Sequence, residues 1–257
     1  MTEDTDVQNI RRKVALSCRI LAMLGLVKET TGHVSARIPG TDNILIRARG
    51  PAESALLFTE ESDVLRTDLD GNILGTKEGV TIPNEFPIHG ELFKARPDIG
   101  CVVHAHPPAI LVCGITDLEL RPIFGGYDPS AMRLAIDGVP IYPRMITLHR
   151  PELAQDMIRI MNGKDVVLML GHGITVVGRT VEEATIKAIK LESLARINWH
   201  ARQRGVPVKE LSAEDLAEFQ RSSGHGHGGG GSLPVWRYYL RLLDHQGILP
   251  SELIPAT

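Results

Sequence analysis

Glu85, the pair His104-Ala105-His106 and, far downstream, His172 between Gly171 and Gly173 are the residues whose types and spacing most directly imply chemistry. In an extended strand, residues i and i+2 point to the same side. His104 and His106 therefore aim two imidazoles at one point, and a single metal ion can take both. A third histidine from the end of another strand completes a three-imidazole face that leaves coordination positions open. His172 fits that place, because its flanking glycines permit a tight turn and a close backbone approach. Zinc, manganese, cobalt and iron(II) all accept such ligands, so the residues ask for one divalent metal without naming it. Beside it, Glu85 is a general acid/base or a further ligand; its plainer reading is a solvated carboxylate at a helix start.

Other candidates surround this set. Arg47 and Arg49 stand at strand spacing and could clamp a carboxylate through paired hydrogen bonds, against the plainer reading of a solvated strand face. His33 and Ser35 alternate with Val34 and Ala36, giving their strand one polar side. His225 and His227 repeat the His-x-His spacing inside a glycine tract, where backbone entropy works against a preorganised site. Asp68 and Asp70 resemble the opening of a calcium loop, but Gly79 occupies its acidic twelfth position, which leaves a turn between two strands.

The elements that must position these residues can be read in order. A helix is expected from Val7 to about Leu26, then strands carrying His33 to Ile38 and Asn43 to Arg49, then a helix from Ile88 to Ala95. Cys101-Val102-Val103 leads as a strand into the histidine pair, and another strand lies near Val139 to Tyr142. Pro151 to Met161 reads as a helix closed by Asn162-Gly163. The apolar run Val166 to Leu170 delivers His172 and returns as Ile174 to Gly178. Thr180-Val181-Glu182-Glu183 forms a capping box for a long helix reaching about Arg204. Residues 222–232 read as a flexible Gly/His-rich loop, and 233–249 as a helix that must dock to be stable.

Composition narrows the function classes. With 257 residues, 43% hydrophobic and 23% charged, the chain suits a single soluble domain spanning 1–257. A net charge of −3 without a Lys/Arg run argues against nucleic acid, and the absence of a long apolar run argues against a membrane and for a cytoplasmic location. Three cysteines without a CxxC pair read as reduced core thiols.

The ordered landmarks Gly32-His33-Val34-Ser35-Ala36-Arg37, Asn84-Glu85-Phe86-Pro87-Ile88-His89, His104-Ala105-His106-Pro107 and Gly171-His172-Gly173 resemble the class II aldolase/adducin family from about residue 10 to 204. The resemblance implies an α/β fold, a three-layer αβα sandwich with a largely antiparallel central sheet, usually a homotetramer with sites at subunit interfaces. It implies that His104, His106 and His172 hold the metal and that Glu85 is the catalytic acid/base. Sugar-phosphate aldolases of the family carry Gly-Asn-x-Ser where this chain has Gly32-His33-Val34-Ser35, and a phosphate cradle of small residues where it has Arg47, Arg49, Gly50 and Pro51. The chain is most similar to the branch of dihydroxyphthalate-type hydroxy-aromatic acid decarboxylases. That implies a carbon-carbon lyase of aromatic compound catabolism, with His33, Ser35, Arg47 and Arg49 facing a small carboxylated substrate. By family analogy Tyr238 or Tyr239 of a neighbouring subunit covers the pocket. An aldolase acting on a hydroxy-keto acid or sugar would use the same parts, an iron form could be an oxygenase, and an adducin-like interaction module would keep the fold without the ligands.

Overall fold

The structure, a computed structural model, describes residues 3–51, 53, 55–75, 79–222 and 231–253. The pair His225 and His227, with most of the expected 222–232 loop, lies outside the described residues.

Seven strands form one sheet: β1 (His33–Arg37), β2 (Asn43–Arg47), β3 (Val64–Asp68), β4 (Cys101–Ala105), β5 (Ile141–Tyr142), β6 (Val166–Met169) and β7 (Gly173–Gly178). Their order is β3-β2-β1-β4-β7-β6-β5, and every pairing is antiparallel except β5 with β6. The β-branched runs of β4, β6 and β7 explain why these strands take the middle, where both faces are covered.

Alternation along the strands separates two cores. Cys101, Val103 and Ala105 of β4 join the larger one, with α1 (Glu3–Met23), α3 (Pro108–Ile115) and α6 (Val181–Arg202). Val102 faces the other way, with Ile44 and Ile46 of β2, onto α2 (Phe86–Ala95) and α5 (Pro151–Met161). The result is the expected αβα sandwich. The short α4 (Pro129–Arg133) packs against α6, and α8 (Leu233–His245) adds Trp236 and Leu243 to the larger core.

Several local expectations are refined. α7 (Ala213–Ser222) lies where the sequence showed only a shift in composition. After Asp68 a full strand gives way to a single Thr67–Ile73 bridge, and Asp68 Oδ1 accepts from the amides of Asp70 and Asn72, both at 2.9 Å, forming a turn. Thr180 caps α6 by accepting from the Glu183 amide, while the Glu183 carboxylate reaches back to the amide of Arg179 rather than of Thr180. No described helix is long and apolar enough to cross a membrane.

Candidate metal centre and active site

β4 carries the site because its partners bring the remaining groups to it. His104 pairs across the sheet with His33 of β1 on one side and Thr175 of β7 on the other. His106 follows β4 directly, held by its amide on Leu26 O at 3.0 Å, and Pro107-Pro108 then turn the chain into α3. His172 occupies the turn between β6 and β7. There Gly171 has φ +61, and a Cβ on Gly173 would lie 2.2 Å from Ala105 O and 2.8 Å from His106 Cδ2. Only glycine lets β7 come this close to the end of β4. Glu85 sits at the N-cap of α2 but makes no capping bond; its Oε1 accepts from the Leu148 amide at 2.9 Å, which turns Oε2 toward the histidines.

His104 Nε2 and His106 Nε2 are 2.9 Å apart, and Glu85 Oε2 is 3.3 Å from His104 Nε2 and 3.4 Å from His172 Nε2. The four ligand atoms lie within 4.8 Å of one another. The outer ring nitrogens fix the tautomers. His172 Nδ1 faces the Ile146 carbonyl at 3.0 Å, and a carbonyl only accepts, so the proton is on Nδ1. The Thr175 hydroxyl donates to Met169 Sδ at 3.3 Å, so its oxygen accepts from His104 Nδ1, also at 3.3 Å. In the neutral rings both Nε2 atoms are therefore bare. Lone pairs of two imidazoles and a carboxylate directed at one point repel unless a cation lies among them, which is the arrangement a metal requires. The 2.9 Å separation matches two nitrogens at a right angle about an ion with bonds of about 2.05 Å.

The electrostatics agree. Burial raises the Glu85 carboxyl, but positive charge at Oε2, carried on the His104 and His172 rings when no cation is present, outweighs it and holds the group below the usual carboxylate range; a metal ion among bare Nε2 atoms would take over that role. Burial, aided by His104 and His172, pushes His106 down to about 3 and keeps it a neutral ligand.

Glu85 opens onto a cavity of about 370 Å³ whose walls include His33, Arg49, Glu53, Thr81 and Asn84. Arg49 lies beyond β2 in a two-bond bridge with Thr81, both bonds 2.7 Å long. Arg47 does not line the cavity. It shares the parity of Leu45, which faces the α1 layer, and is almost wholly buried. Arg47 Nη1 and Arg49 Nε, the latter at 3.0 Å, both hold the carboxylate of Glu53. The two arginines do clamp a carboxylate, then, but it is the protein's own, and the trio keeps one surplus positive charge beside the cavity. Ser35 is buried behind the wall against His89. Tyr238 and Tyr239 lie on α8, which packs on α1 and α6, and neither lines this cavity. Sequence reasoning gave no role to His89 or Glu53. His89 stands four residues after Glu85, a helical spacing that Pro87 obscured, and Glu53 lies in an irregular segment with no periodic signal.

Residues 12–199 match the family described as Class II Aldolase and Adducin N-terminal domain. The chain belongs to the class II aldolase and adducin family. Among family relatives, the 3,4-dihydroxyphthalate decarboxylase of Arthrobacter keyseri is 42% identical over 233 residues, covering 90% of this chain and 92% of that protein. The enzyme of the same name from Rhodococcus jostii is 34% identical, covering 91% and 96%. An aldolase II superfamily protein from Pseudomonas syringae shares the fold at a TM-score of 0.81 and 24% identity, with 95% of each chain covered. Class II aldolases use a divalent metal, and Glu85, His104, His106 and His172 are a group in this chain that could bind one.

Proposed function

We propose that this chain is a metal-dependent, non-oxidative decarboxylase of a dihydroxylated aromatic dicarboxylate of the dihydroxyphthalate type. The observation that carries the reading is a single cavity that joins Glu85, at the edge of a three-imidazole face, to a wall that offers the Arg49 guanidinium and the His33 imidazole. The similarity to decarboxylases at 34% and 42% identity supports it.

His104, His106 and His172 would hold a divalent metal, which when bound would supply Lewis acidity toward the ring hydroxyls and the charge that builds up in the cleavage. Glu85, held ionised, takes the proton of the hydroxyl next to the departing carboxylate and delivers it to the ring carbon that bears this carboxylate. The carbon-carbon bond then breaks, its electron pair restores the aromatic ring, and CO2 leaves. A solvent proton returns to the phenolate oxygen, so one proton is taken up per turnover. The Leu148 amide fixes Oε1 so that Oε2 faces the reacting atoms. Arg49 and His33 hold the carboxylate that is kept. The working form is a cytoplasmic homotetramer in which Tyr238 or Tyr239 of a neighbouring copy covers the cavity.

The test is anaerobic incubation of the metal-loaded protein with 3,4-dihydroxyphthalate, following CO2 and proton uptake, beside a parallel incubation with hydroxy-aldol sugars. CO2 release without oxygen, lost in His104→Ala, is expected. Aldehyde formation or an oxygen requirement sinks the reading.

A further inference from the structure

A chain of hydrogen bonds runs from the cavity wall into the protein: His33 Nδ1 to His89 Nε2 at 2.7 Å, then His89 Nδ1 to Ser35 Oγ at 2.5 Å. Ser35 and His89 are fully buried and His33 is only 4% exposed. The His33 ring stacks on His104, with centroids 4.9 Å apart and planes 24° apart, so its orientation is set as well. Of the four ring nitrogens of His33 and His89, only His33 Nε2 has no protein partner among the described residues, and His33 lines the cavity.

The His33–His89 contact needs one donor and one acceptor, and the two buried rings, with no carboxylate among the partners of their nitrogens, carry a single proton each. Two arrangements satisfy both contacts. In the first, the Ser35 hydroxyl donates to His89 Nδ1, His89 Nε2–H donates to His33 Nδ1, and His33 bears its proton on Nε2. In the second, every proton shifts by one place: His33 Nδ1–H donates to His89, His89 Nδ1–H donates to Ser35 Oγ, and His33 Nε2 is a bare lone pair. That second arrangement strands the hydrogen of a fully buried hydroxyl, since Ser35 Oγ has no other partner among the described residues.

We propose that Ser35 and His89 lock His33 as its Nε2–H tautomer, so that the cavity wall presents a fixed hydrogen-bond donor and not a base. Ser35 and His89 are positioning residues acting through His33. A fixed N–H favours the strongest acceptor, a carboxylate or phenolate oxygen, and it cannot serve a group that has to donate at that place. It also leaves proton transfer to Glu85 alone. The identity of the accepting atom rests on the decarboxylase reading; the lock itself does not.

Neutron diffraction from D2O-exchanged crystals of the metal-loaded protein tests the lock without reference to activity. Deuterium is expected on Nε2 of His33, on Nε2 of His89, and on Ser35 Oγ directed at His89. Deuterium on His33 Nδ1 overturns the proposal. If the lock is present and 3,4-dihydroxyphthalate is not turned over, the reaction assignment fails and the lock stands. Kinetics give a second arm. His89→Leu leaves His33 Nδ1 unpaired and frees its tautomer, so kcat/KM for the dicarboxylate falls about tenfold, mostly through KM. His89→Gln keeps an N–H directed at His33 Nδ1 and recovers most of that loss. Equal KM in His89→Leu and the native protein, or a Gln variant no better than the Leu variant, refutes the role.

Discussion

Replacing Thr175 by valine removes one hydroxyl and almost no volume, and its effect should appear at a metal the residue never touches. Thr175 is fully buried, accepts from His104 Nδ1 at 3.3 Å and donates to Met169 Sδ at 3.3 Å. The contact to His104 is long, which places that bond toward the weaker end of the range, about 0.5 kcal/mol. Without it, the His104 N–H is buried with no acceptor, and the ring is less basic and freer to turn. Loss of such an outer partner weakens metal binding by about tenfold to a hundredfold, and the long contact argues for about tenfold. Competition of the protein with a chromophoric chelator at fixed pH measures this directly, with circular dichroism as a check on folding. Thr175→Ser restores the hydroxyl and should restore affinity. Native affinity in the valine variant, or a serine variant as weak as valine, shows that the tautomer reasoning at His104 is wrong.

Three further outcomes follow from the same geometry. Glu85→Gln keeps an oxygen for the Leu148 amide but cannot carry the proton, so turnover should drop by about 10²–10⁴ while metal content measured by atomic emission stays stoichiometric. Gly173→Ala forces a Cβ to within 2.2 Å of Ala105 O, pushing β7 and the His106 ring outward; metal affinity should fall by more than about tenfold and the melting temperature should drop. His89 has a folded pKa of about 3 against an ordinary 6.5, so below pH 6.5 the unfolded chain binds a proton that the folded one refuses. Its contribution is thus complete above pH 6.5 and declines as pH falls toward 3. Between pH 6.5 and 5 the native protein should lose about 1.5 kcal/mol more than His89→Gln in urea unfolding, and parallel losses refute the assignment.

The site and the scaffold were legible to different depths. His104 and His172 could be read because strand alternation and a glycine-flanked turn are local signals, and the long apolar run of β6 led straight to the turn. Arg47 shows where locality stops. Its spacing from Arg49 was right for a shared face, but β2 ends at Arg47, and Arg49 leaves the strand to bridge Thr81, so the two reach Glu53 from different directions. Glu53 itself is invisible to periodicity, because its role depends on a loop folding back over two arginines. His89 was hidden in another way: a histidine on the inner face of a short helix looks like any core position until its partners on β1 are known. Helix α7 was missed because its ten residues lie after a stretch of loop-like composition, where no strong apolar stripe marks the start.

The pairing of β4 with β7 joins parts of the chain that a ribosome makes at different times. Glu85 and the His104/His106 pair emerge first, and His172 and β7 only after β5, α5 and β6 have been synthesised. Until then the nascent chain offers two imidazoles and a carboxylate, a weak chelate open to any divalent ion nearby. The third imidazole arrives as β7 zips onto β4, and in the same step the centre is buried. The complete three-imidazole face therefore exists only once those two strands have paired, so metal affinity and the last step of sheet assembly are one event.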